Sequence, residues 1–140
     1  MENMLQTSDF VGVTFWIISV SMVASTFFFF SEANNVGKHW GTSVRVAGLI
    51  TLIAAVHYYY MRDVWVATGE TPTVLRYIDW LLTVPLQMIE FYLILAAVGA
   101  ATAGMFWRLL IGTLVMLVAG FMGEAGFINA TMGFIVGMAG

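Results

Sequence analysis

A chain of 140 residues that is 61% hydrophobic and only 9% charged, with a mean hydropathy of +0.91, is not composed like a soluble domain. Each helical crossing of a bilayer takes ~20 residues, so the length supplies about four full spans and part of a fifth in one membrane-embedded domain. The absence of cysteine excludes disulfides, thiolate metal sites, Cys nucleophiles and c-type haem attachment, and leaves the redox compartment open. The net charge of −3 includes no basic patch, because Lys38, Arg45, Arg62, Arg76 and Arg108 are scattered, and nucleic acid is excluded as a partner.

The uncharged run from Phe10 to Ser31 predicts a first membrane helix over about 9–31. Ser31 to Thr42 is polar and carries two glycines, so it reads as a loop. Apolar character resumes at Val44 and ends near Met61, predicting a second helix over about 43–62 with His57 inside it. Arg62 to Thr73, with Asp63, Gly69, Glu70 and Pro72, reads as a loop whose proline can open the third helix, about 73–97. The small residues Gly99 to Gly104 predict a short connection before a fourth helix over about 107–125. A fifth apolar run occupies 131–140. Ten residues rise only ~15 Å, half a bilayer, so this helix is expected to continue and the 140 residues to be the N-terminal part of a longer protein.

Positive charges fix the expected orientation. Lys38, Arg45 and Arg108 flank the first and third connections, which places those on the cytoplasmic side and the N-terminus outside. The first residues, MENMLQTSD, lack the regions of a signal peptide. Trp40, Trp65, Trp107 and Tyr58 to Tyr60 lie near predicted helix ends, as an interfacial aromatic belt requires.

Ionisable groups at bilayer depth cost ~2.5–3.5 kcal/mol each on insertion scales, so they point to function. The sequence places His57, Arg76, Asp79, Glu90 and Glu124 there. Asp79 and Glu90 are eleven residues apart, which brings them within ~20° of one helix face and ~16 Å apart along it. Arg76 lies one turn outward of Asp79 and Thr83 one turn inward. Counting inward from Arg62, Pro72 and Asp9 puts His57, Asp79 and Trp16 at one level, ~8–11 Å below the outer surface. A lone buried carboxylate or histidine often only bonds a neighbouring helix; two carboxylates on one face beside an arginine favour proton chemistry, with an acceptor near the outside and a donor reached from inside. Glu124, near a helix end, reads as structural. So does the Gly133/Gly137 pair, as a helix contact.

The run Arg76-Tyr77-Ile78-Asp79-Trp80-Leu81-Leu82-Thr83-Val84-Pro85-Leu86, followed by Glu90-Phe91-Tyr92-Leu93-Ile94-Leu95, closely resembles the third helix of proteorhodopsins, light-driven proton pumps of marine bacteria. Gly12 to Trp16, His57 to Arg62, Pro72 to Val74 and Gly120 to Gly126 extend the resemblance over essentially the whole chain. It implies an all-α membrane protein, part of a seven-helix bundle, in the bacterial inner membrane. The implied activity is outward light-driven proton transport through bound retinal rather than enzyme catalysis, with a sensory photoreceptor as the alternative. By the same resemblance Asp79 is the counterion and primary proton acceptor, His57 its hydrogen-bonded partner, Arg76 part of the counterion cluster and Glu90 the proton donor. Trp80, Thr83, Gln87 and Met116 match retinal-pocket positions, Gln87 in the place that distinguishes blue-absorbing from green-absorbing members, and Trp16 matches a contact between protomers of a pentamer or hexamer.

Two departures stand against the pattern. The only lysine is Lys38, in a predicted cytoplasmic loop, so the retinal-attachment lysine is expected outside these residues. After Glu32 the family's charged pair is replaced by Ala33-Asn34, which removes the basis for salt bridges between protomers at that point.

Overall fold

The computed structural model describes residues 6–140, which form five helices and no strand. They are α1 (Phe10–Glu32), α2 (Gly41–Thr68), α3 (Thr73–Ala97), α4 (Ala103–Glu124) and α5 (Ala130–Ala139). The first four are long and apolar enough to cross a membrane. Each helix packs only on its neighbours in sequence, so the described residues make an open row and not a closed bundle.

Two boundaries differ from the sequence reading. α2 does not stop near Met61 but runs on to Thr68, through residues expected to be loop. The charged pair Arg62-Asp63 interrupts the apolar run without ending the helix. Arg62 pairs with Asp63 at 2.9 Å, and the Trp65 indole donates to the carboxylate of Asp9 at 2.9 Å, tying the extension to the start of α1. The stop comes at Gly69, whose φ of +68° is a left-handed cap that glycine adopts without a Cβ penalty. α4 begins at Ala103 and not near Trp107, because Thr102 caps it by accepting from the Met105 N–H at 3.2 Å. Asn129 caps α5 in the same way, accepting from the Thr131 N–H at 2.8 Å.

Asp9 also caps α1, accepting from the Gly12 N–H at 3.0 Å. Its contact with Trp65 brings the start of α1 beside the end of α2, so these two helices run antiparallel. Thr73 at the start of α3 meets Glu124 at the end of α4, and Tyr92 meets Phe106 at the opposite end, so these two are antiparallel as well. The α1–α2 seam is closed by small and polar side chains, with Thr26 and Thr51 sharing a hydrogen bond of 2.9 Å and Gly48 seating against Phe29 and Phe30. α4 and α5 approach through Gly123 and Gly133, where a Cβ on Gly133 would come within 2.8 Å of the Ala119 carbonyl oxygen. Within α3, Pro85 has no N–H for the Leu81 carbonyl, which places a weak point in the helix between Asp79 and Glu90.

Candidate functional site

Asp79 is the group most fully withdrawn from the surface among the ionisable residues of α3, at 2% exposure. It lies on the flank of α3 that meets α2, and His57 comes from α2 to face it, with Nδ1 3.5 Å from Asp79 Oδ1. The same nitrogen lies 2.9 Å from the Ile53 carbonyl oxygen one turn earlier on α2. A carbonyl can only accept, so that bond requires the proton on Nδ1. The imidazole therefore spends its Nδ1–H inside its own helix and stands beside Asp79 within ion-pair range. Asp79 Oδ1 is left buried with no hydrogen-bond partner among the described residues. Such an acceptor is costly to leave unmatched in a low-dielectric interior.

Thr83 lies one turn inward, buried, and donates its hydroxyl to the Asp79 backbone carbonyl at 2.9 Å. The hydroxyl is thereby satisfied without help from the carboxylate. Glu90, half-buried two turns further along, has no hydrogen bond or ion pair to a described residue, so the two carboxylates of α3 are separate stations rather than a coupled pair.

Arg76, one turn outward of Asp79, makes its ion pair elsewhere. Its Nη2 pairs with Glu124 Oε1 at the end of α4, with Thr73 Oγ1 3.4 Å away, and its guanidinium lies 5.5 Å from the centre of the Trp80 ring. Glu124, read from sequence as structural, is thus the ionic partner of the arginine. The signal was present in the sequence, since both residues stand at the outer end of adjacent antiparallel helices, but pairing them requires knowing that α3 and α4 touch.

The remaining predicted positions are distributed over the row. His57 and Asp79 meet as their depths required, whereas Trp16 at the same level lies outside their contact. It is 45% exposed on α1 and stands under the Arg62 guanidinium, 5.5 Å from it. Trp80 packs edge-on against Tyr77, with ring centres 5.0 Å apart. Gln87 is exposed, and Met116 on α4 is 40% exposed, so neither is covered by the five helices. Lys38 lies in the connection between α1 and α2, at the far end from the Asp9–Trp65 contact.

Known proteins share both the sequence and this arrangement. The family model described as bacteriorhodopsin-like protein matches residues 9–140. The chain is 60% identical to the blue-light absorbing proteorhodopsin of Gamma-proteobacterium Hot 75m4 over 97% of its own length and 54% of that protein. It is 56% identical to the green-light absorbing proteorhodopsin of Gamma-proteobacterium EBAC31A08 over 95% of its length and 53% of that protein. The crystal structure of blue light-absorbing proteorhodopsin from Med12 superposes with a TM-score of 0.84 at 56% identity, covering 94% of this chain and 62% of that one. Exiguobacterium sibiricum rhodopsin superposes with a TM-score of 0.77 at 33% identity, covering 91% of this chain and 58% of that one. The chain spans about half the length of the curated relatives it matches. With a matched region running through all five helices and a superposition that holds α1 to α5 in the same row, this multi-pass membrane chain belongs to the bacteriorhodopsin-like family.

Proposed function

We propose that the complete protein is a retinal-bound, light-driven outward proton pump of the blue-absorbing proteorhodopsin type, seated in the bacterial inner membrane. It is a transporter and not an enzyme, and works within a homo-oligomer. The observation that carries the reading is the buried, unmatched Oδ1 of Asp79 beside His57. That atom fits the group the family binds, because it offers a carboxylate acceptor with no donor of its own among the described residues. Trp80 and Thr83 flank it along α3, and Gln87 and Met116 present uncovered side chains for the same chromophore. Retinal, once bound through a lysine outside these 140 residues, supplies light absorption and a proton that becomes transferable on excitation.

The chain's own residues supply the rest. Asp79 takes up the proton in the outer half of the membrane, so it must be ionised before light arrives. His57 stands against it as the nearest group able to share the change of charge. Glu90, ~16 Å further along α3, returns a proton from the cytoplasmic side. The placement of the two carboxylates without mutual contact supports this division, since a pump must keep its outlet and its inlet apart.

A sensory photoreceptor is the second reading, and Glu90 weighs against it, because a fast carboxylic donor shortens the cycle while signalling benefits from delay. The test is illumination of cells carrying the complete protein and retinal. A fall in external pH that a protonophore abolishes is expected; light absorption without any change in pH would favour the sensor.

A further inference from the structure

Positions three apart on a helix have Cβ atoms ~5–6 Å apart, so the Arg76 guanidinium could fold inward onto Asp79. Instead its polar contacts among the described residues all run outward through Nη2, while its Nε is buried without a partner. Glu124 pairs with Nη2; Thr73 Oγ1 lies 3.4 Å from that nitrogen and donates to Glu124 Oε1 at 3.2 Å; the Trp80 ring lies 5.5 Å from the guanidinium. Tyr77, the next residue along α3, puts its hydroxyl where a Cβ on Gly120 would come within 3.0 Å, so the glycine one turn before Glu124 lets the two helix ends close on each other. Among the described residues, Glu124 is the one carboxylate in ion-pair contact with Arg76, and His57 the one such neighbour of Asp79.

We propose that Glu124 is a positioning residue for the proton acceptor: by anchoring the Arg76 charge at the end of α4, it keeps that charge from folding onto Asp79. The proposal rests on the reading of Asp79 as acceptor. Few other groups can titrate around the pair. From α2 come His57 against Asp79, the tyrosines Tyr58 to Tyr60, and Arg62 paired with Asp63. α3 itself adds Tyr77, α4 has only Arg108 at its other end, and neither α5 nor α1 between Phe10 and Ser31 carries an ionisable side chain.

The experiment is an acid titration of the visible spectrum of the complete, retinal-bound protein, following the move to the red as Asp79 is neutralised. Glu124→Gln frees the arginine to stabilise the Asp79 carboxylate, so the transition should fall to lower pH by about one unit. In an Arg76→Gln background the same Glu124→Gln change should leave the midpoint nearly where Arg76→Gln alone puts it. No shift in the single variant, or an equal shift in both backgrounds, would overturn the proposal; the second result would mean that the Glu124 charge acts directly and not through Arg76. If Glu124→Gln yields no pigment, Glu124→Asn at the same exposed position carries the same prediction. Asp79→Asn separates the two levels of the argument. An acid transition that persists there would overturn the acceptor reading and this proposal with it. A transition lost in Asp79→Asn yet indifferent to Glu124 would overturn the proposal alone.

Discussion

The two neighbouring helices α2 and α3 bury different kinds of residue. α2 buries eight residues, among them Ser43, Ala47, Gly48, Ile50, Ala54 and Ala55, and the polar ones at the α1–α2 seam find partners within it. α3 buries only two, Asp79 and Thr83, both polar, and the carboxylate of the first keeps an unmatched atom. Close packing of small residues with satisfied hydroxyls is how membrane helices associate where no hydrophobic force drives them together. Asp79 and Thr83 add nothing of that kind, since one keeps an unmatched oxygen and the other bonds within its own helix. The first region is built as a scaffold, and the second carries the candidate site.

The sharpest way to break that contrast is to ask whether the site is self-sufficient. Given all-trans-retinal, the 140 residues alone should form no stable visible chromophore, because Lys38 is the only lysine and lies in a connection between helices. A coloured, hydroxylamine-sensitive pigment from this chain would show that the α3 side needs no partner. Next in size is Glu90→Gln in the complete protein. Loss of the proton to Asp79 should be unaffected while its return slows roughly a hundredfold, measured by flash photolysis. Unchanged recovery would remove Glu90 as donor.

On the scaffold side, Gly48→Leu should force Phe29 and Phe30 apart, since a Cβ at Gly48 already lies 3.3 Å from the Phe30 ring. A cost of ~1–3 kcal/mol is expected, seen as loss of colour at lower temperature in detergent with the spectrum itself unmoved. A changed spectrum without a change in stability would mean that scaffold and site are not separable. The smallest effect belongs to Gln87→Leu, which replaces an uncovered amide having two donors and an acceptor by an apolar group of similar size. Compared with wild type at alkaline pH, where Asp79 is ionised in both, its absorption maximum should move to the red; coincident maxima would remove Gln87 as the tuning residue.

What could be read from the sequence follows the same division between local and tertiary causes. Helices α1 and α3 were legible almost to the residue, because an uncharged run and a proline-led start are local signals. The extension of α2 was not, because Arg62 and Asp63 look like loop residues until the tie between Trp65 and Asp9 is seen. The start of α4 rests on the single cap Thr102, which stands among small residues that read as a connection. In the site, depth counting brought His57 to Asp79 correctly but also brought Trp16, since depth says nothing about direction around a helix. The partner of Arg76 was out of reach for a stronger reason, because it depends on which helix lies beside α3 and not on any spacing within it.

Proton uptake by Asp79 is the claim on which the account stands, and Asp79→Asn in the complete, retinal-bound protein tests it most directly. The amide keeps the size of the side chain and removes the acceptor. Illuminated cells carrying this variant should no longer acidify the medium, and its spectrum should stay in the red-shifted form at every pH at which the wild type shows both forms. Light-driven acidification at the wild-type rate would contradict the account.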